Sequence, residues 1–83
     1  MPSSADLHYA LGLSLARSKQ LTGATAELKH ASDLAPEVAR FAYAYALALD
    51  GAGQTAAASR VLARYPDDPD ARTLADAIRA RRR

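Results

Sequence analysis

The 83-residue chain has no cysteine and no tryptophan. Without cysteine it has no disulfide framework, no thiolate metal site and no reactive thiol. No apolar run approaches the ~20 residues of a membrane-spanning helix. The start Met1-Pro2-Ser3-Ser4 has no basic segment followed by an apolar one, so neither a secretory leader nor a membrane partner is expected and the chain reads as cytoplasmic. Histidine occurs only as His8 and His30, with no ligand pattern beside them. His8 is therefore expected to pack rather than to bind metal. No Ser, His and carboxylate are spaced as a triad, and no glycine run forms a phosphate loop. An enzyme, a cofactor and a metal are accordingly not expected.

Alanine is the most abundant residue, within an ordinary 49% apolar and 24% charged composition. A chain of this length buries only about 60% of its unfolded surface, so it makes one small domain. Alanine forms helix readily and contributes little burial energy. Helices should therefore form easily while tertiary stability stays thin or leans on self-association. Net charge is +2, yet Arg72, Arg79, Arg81, Arg82 and Arg83 all cluster at the C-terminal end.

Helix one is expected from Ala5 to about Arg17, with Ser4 as N-cap and Asp6 in the first turn. Its residues Leu7, Tyr9, Leu11, Leu13 and Leu15 alternate strictly, which alone would fit a strand. Ala10, Gly12 and Ala16 between them, and the unpaired edge that one strand would leave, favour helix. Wound as a helix, Leu7, Leu11 and Leu15 form one stripe, expected to pack on the hairpin partner, and Tyr9 with Leu13 form another. Thr22 is the expected N-cap of helix two, which runs to about Leu34 with Glu27 and Lys29 on its wet side. Pro36 closes it, and Glu37 opens helix three, which ends at Asp50. There Phe41, Tyr45 and Leu49 repeat one stripe and Tyr43 with Leu47 the other.

Gly51 reads as a left-handed C-cap and Gly53 as part of the following turn. Helix four is expected from Thr55 to about Arg64, with Ala58, Val61 and Leu62 inward. Asp68-Pro69-Asp70 is the strongest start signal: an Asp N-cap, Pro at the first helical position and a carboxylate against the dipole. Asp67, Asp68 and Asp70 also resemble part of a calcium loop, but Pro66, Pro69 and the missing downstream Glu favour the cap. Helix five then shows one stripe, Ala71, Leu74, Ala75 and Ile78, as an end helix packed on one side should.

One constant shift lays the chain on itself: Leu7 on Phe41, Tyr9 on Tyr43, Leu11 on Tyr45, Leu13 on Leu47, Ala24 on Ala58, Leu28 on Leu62. The spacing His8-x2-Leu11-Gly12-x2-Leu15, Ala24-x3-Leu28 and Pro36 resembles the tetratricopeptide repeat, whose period is roughly 34 residues. His8 stands where that repeat usually has Trp, and Leu15 and Leu49 stand where it has Tyr. Pro36 and Pro66 lie about one helical turn closer together than the period requires. The resemblance implies an all-α fold of about five helices, antiparallel hairpins stacked as a short right-handed solenoid. Repeat one would cover 5–36, a shortened repeat two 37–68, and a capping helix 69–82. Gly12 and Ala46 would let the second helix approach the first, Ala24 and Ala58 would reciprocate, and Leu11, Leu28, Tyr45 and Leu62 would fill the space between.

In that family the first helix of each repeat lines a groove that binds peptides or partner helices. By position the groove would receive Asp6, Tyr9, Leu13 and Arg17, then Arg40, Tyr43, Leu47 and Asp50. Members that grip acidic chaperone tails place Lys and Asn where this chain has Tyr9 and Leu13, so that activity is not implied. The expected function is a non-enzymatic protein-interaction module taking an apolar peptide or partner helix. The same residues could instead seal against a second copy, giving a homodimer. The alternative is a small nucleic-acid binder using Arg79, Arg81, Arg82 and Arg83. It is weighed lower, because those arginines also suit a solvated helix end and no aromatic lies near them.

Overall fold

Ser3 opens the first helix. Its Oγ accepts the Asp6 N–H at 3.1 Å while Asp6 Oδ2 accepts the Ser3 N–H at 3.2 Å, a reciprocal capping box. The cap is Ser3 rather than the expected Ser4, because only a residue three positions before Asp6 can close that box. The computed structural model describes residues 2–81. They form five helices: α1 (Ser4–Arg17), α2 (Leu21–Leu34), α3 (Ala39–Gly51), α4 (Thr55–Leu62) and α5 (Pro69–Arg81). The fold is all-α, with no strand among the described residues. The expected last residue of the fifth helix, Arg82, lies outside them.

Two turns of one design join α1 to α2 and α3 to α4. In the first, Lys19 takes φ 63°, its N–H bonds Ala16 O at 3.0 Å, and the Gln20 N–H bonds Leu15 O at 2.9 Å. In the second, Gly53 takes φ 83°, its N–H bonds Asp50 O at 3.0 Å, and the Gln54 N–H bonds Leu49 O at 2.8 Å. Both are left-handed helix stops that satisfy the last carbonyls. The shift that lays Leu15 on Leu49 also lays Lys19 on Gly53, so the sequence repeat is a backbone repeat. Two expectations are corrected by this geometry. The turn is complete at Gln20, so α2 begins at Leu21 and Thr22 lies inside it. Gly51 stays helical, and Gly53 is the left-handed residue.

Pro36 and Glu37 form a bend instead of opening α3. The Val38 N–H reaches Ala35 O at 3.0 Å and the Phe41 N–H reaches Val38 O at 3.0 Å, so helical geometry starts at Ala39. At the end of α4 the Arg64 and Tyr65 N–H groups bond Val61 O and Leu62 O, three residues back. That tightening stops α4 at Leu62, short of the expected Arg64. It leaves eight residues against fourteen in α2, a larger shortening than the proline spacing implied. Asp68 caps α5 as expected, its Oδ2 accepting the Ala71 N–H at 2.9 Å with Pro69 next in line. Tyr65 then donates from Oη to Pro36 O at 2.7 Å, stitching the end of the second hairpin to the bend after the first.

Each helix packs on the next, and α3 also touches α1 and α5. Approach is through small residues. Gly12 is buried, a Cβ built on it would lie 2.6 Å from Leu28 Cγ, and Ala24, Ala46 and Ala58 are each 0% exposed. Phe41, Leu28 and Ile78 are the largest fully buried side chains. Phe41 closes on Ala5, Ala31 and Ala35, Leu28 on Ala44 and Ala48, and Ile78 joins Leu49, Val61 and Leu62 between α3, α4 and α5.

The stripe expected to face the hairpin partner is corrected as well. The side of α1 that meets α2 is centred on Gly12, with Leu15 against Gly23. Leu7 and Leu11 turn away and are 58% and 49% exposed, so Leu11 does not fill the space between the helices. Tyr9 and Leu13 turn toward α3. Glu27, placed on the wet side by spacing, is drawn to His8.

Gly12→Val should lower unfolding free energy by about 1–3 kcal/mol, because its methyls would overlap Leu28 at an interface with no slack. Lys19→Gly should raise it by about 0.5–1 kcal/mol by relieving the left-handed backbone. Urea unfolding followed by circular dichroism measures both.

Candidate functional site

Leu13 and Leu47, equivalent in the two repeats, meet at one pocket. It has a volume of about 170 Å³ and is lined by Leu13 and Ala16 of α1, Leu21 and Leu28 of α2, and Ala44, Leu47 and Ala48 of α3. Every lining side chain is aliphatic. α1 and α3 contribute residues four or fewer positions apart, which places them on one side of each helix. Leu28 is buried at the floor while Leu47, 43% exposed, forms the rim. The pocket therefore presents apolar surface to water without a polar group to orient a reacting atom, a surface suited to holding an apolar side chain.

The other expected groove residues divide. Tyr9 lies with its ring 4.7 Å from that of Phe41, and the Arg40 guanidinium sits 5.5 Å from the centre of each ring. Tyr9 is thus half-buried in the seam between the hairpins, with Arg40 as a cationic lid. Tyr43 is half-buried one turn from Leu47 on α3. Asp6 is occupied by the Ser3 cap. Arg17 is exposed at the end of α1, and among the described residues neither it nor Arg40 has a carboxylate partner.

Asp50 has a different job. It accepts the Thr55 Oγ1 hydrogen at 2.8 Å, and Arg81 Nη2 lies 2.9 and 2.8 Å from its two oxygens. These contacts clamp the end of α3 to the start of α4 and the end of α5. The hydrogen bond from Arg81, then that from Thr55, hold the Asp50 carboxyl below its ordinary value of 3.8. Arg81 is thereby paired, and Arg79 is paired with Asp76. Arg82 and Arg83, the remainder of the expected anion-contact cluster, lie outside the described residues.

His8 Nδ1 meets Glu27 Oε1 at 2.7 Å, and its ring stacks on His30 with centroids 5.0 Å apart. Among the described residues no three His, Asp or Glu side chains converge as a metal site, and no helix is long and apolar enough to cross a membrane. Repeat position alone does not point to Ala16, Leu21, Leu28, Ala44 and Ala48 as pocket residues. The cap signal at Thr22 places Leu21 in the turn, whereas the i, i+7 spacing of Leu21 and Leu28 is the signal that joins them on one face.

Because the Asp50 carboxyl is held below its usual range in the folded protein, its stabilisation is fully present above about pH 4 and is lost as pH falls through the lowered value. Asp50→Asn should therefore be less stable than the parent at pH 7, and the gap should narrow toward pH 2. Thermal unfolding of both proteins across that range measures it. No protein-family model matches the chain, and no curated protein or solved structure matches it either.

Proposed function

We propose that this chain is a tetratricopeptide-like, non-catalytic interaction module that holds a peptide or partner helix in the groove between α1 and α3. The observation that carries the reading is the open aliphatic pocket, with Leu47 exposed at its rim and Leu13 facing it from the preceding repeat. A leucine-sized side chain fits its volume. Full burial of such a side chain contributes about 1.5–3 kcal/mol, enough to anchor a segment whose remaining contacts are weak. Arg17 and Arg40 flank the groove with positive charge, which favours a ligand with carboxylates on either side of its apolar anchor.

Stacking of the hairpins into a right-handed array is part of the same proposal. The paired turns at Lys19 and Gly53 and the small-residue approaches at Gly12 and Ala46 support it, since equal backbone steps stack in one sense. The nucleic-acid alternative draws less support, because Asp76 and Asp50 already engage Arg79 and Arg81.

Selection from a displayed library of random peptides tests the proposal. Enriched sequences should share one aliphatic residue near acidic ones, and Leu47→Asp should weaken the selected peptides at least about tenfold while leaving helicity unchanged. A library that yields no consensus, or a consensus that Leu47→Asp binds as well as the parent, would contradict it.

A further inference from the structure

The junction of α4 with α5 repeats the junction of α2 with α3, but with one aromatic ring missing. The shift that lays Leu28 on Leu62 also lays Ala31 on Tyr65. Laying Pro36 on Pro66 carries Phe41 to Ala71 and Tyr45 to Ala75, and the difference between the two shifts is absorbed where α4 stops short. In the first junction the Phe41 ring packs with Ala31, and Tyr45 packs against the cluster that holds Leu28. In the second, Tyr65 supplies the ring that Phe41 supplies in the first, while at Ala75 nothing takes the place of Tyr45. What remains is a hollow of about 340 Å³ with Leu62, Tyr65, Ala71 and Ala75 in its lining.

Its walls are held from several sides. The Tyr65 Oη bond to Pro36 O fixes one, the Asp68 bond to the Ala71 N–H fixes the start of α5, and the Arg81 contact with Asp50 fixes its far end. A ligand therefore meets a surface already in place. The rim comes from α5, where Arg72, Asp76 and Arg79 follow one another at i, i+4, i+7 and so share one side of the helix. Asp76 is spent on Arg79. Asp67 lies with Arg72 along an adjoining depression, yet among the described residues Arg72 has no carboxylate partner.

We propose that this hollow binds an aromatic ring bearing a single carboxylate, the ring seated beside Leu62 and Ala75 and the carboxylate against the Arg72 guanidinium. The missing Tyr45 counterpart selects a ring. A dry cavity of roughly 150 Å³ holds benzene, so the larger volume here also admits the short chain that carries the acid. Tyr65 adds an aromatic neighbour for that ring. The unpaired guanidinium selects the carboxylate, which it can meet with two parallel hydrogen bonds. Asp76 selects against a second negative charge, so a phosphate ester fits the rim less well. The hollow shares no lining residue with the pocket at Leu13 and Leu47, and either site can fail without the other.

Amide-resolved NMR of the parent chain, titrated to about 10 mM with 3-phenylpropionate and separately with N-acetyl-phenylalanine, tests the proposal. At least one probe should shift the Leu62, Ala71 and Ala75 signals saturably while Leu47 stays still. Tighter binding of the first assigns a free acid, and tighter binding of the second a chain end. The neutral 3-phenylpropionamide should bind at least about fivefold more weakly than the acid, and Arg72→Gln, a change at an exposed residue, should weaken the acid by a similar factor. Ala75→Tyr should remove binding by seating a ring of its own. Absence of saturable shifts with both acids, an amide that binds as well as its acid, or an Arg72→Gln protein that binds like the parent would each overturn the proposal. Binding that survives Ala75→Tyr, or shifts centred on Leu47, would overturn it as well.

Discussion

The close approach of α1 to α2 at Gly12 governs the rest of the structure. A Cβ there would collide with Leu28, so the distance between the two helices is set by a missing atom. That distance lets Leu28 pass beneath α1 and reach Ala44 and Ala48 on α3. Leu28 is then both the centre of the first hairpin and the floor of the pocket. Widening the first hairpin would withdraw the floor and separate Leu13 from Leu47. Stability and the candidate site therefore share one contact.

A core rich in alanine has consequences for energetics. Small residues bring backbones together and gain dispersion contacts, yet each buries little area, so Phe41, Leu28, Leu49, Val61, Leu62 and Ile78 supply most of the apolar burial. The polar ties are placed where the apolar ones run out. Asp68 starts α5, Tyr65 reaches back to Pro36, and Asp50 joins α3, α4 and α5 through Thr55 and Arg81. Each crosses a junction that a shortened α4 would otherwise leave loose.

Much of this arrangement is legible in the sequence, for identifiable reasons. Helix number, the repeat register, the small-residue contacts and the Asp68 cap follow from local rules that tertiary packing does not overrule. The departures arise where local signals overlap. Ser3 and Ser4 are equal as cap residues until Asp6 selects one. Thr22 looks like a cap only until Lys19 adopts a left-handed backbone that few non-glycine residues accept. The direction of each stripe on α1 is the largest departure. Leu7, Leu11 and Leu15 form a regular stripe, but the face that packs on α2 is the one containing the glycine, and hydrophobic spacing is silent about a residue without a side chain. At the pocket, Leu13 and Leu47 are reached by repeat position, whereas Tyr43 lies one turn from Leu47 outside the lining, and Asp6 and Asp50 serve a cap and a clamp. Leu21 and Leu28 escape that rule because pocket floors come from the other helix of the hairpin.

The central claim is that the aliphatic pocket between α1, α2 and α3 is a recognition surface for an apolar side chain. Methyl-resolved NMR during titration with N-acetyl-leucine amide, a bare leucine side chain on a minimal backbone, tests it most directly. The expected result is saturable, concerted movement of the Leu13, Leu21 and Leu47 methyl signals, with those of Leu62 and Ile78 unmoved. Shifts spread evenly over all methyls, or no shift at the pocket up to the solubility limit of the probe, would contradict the account.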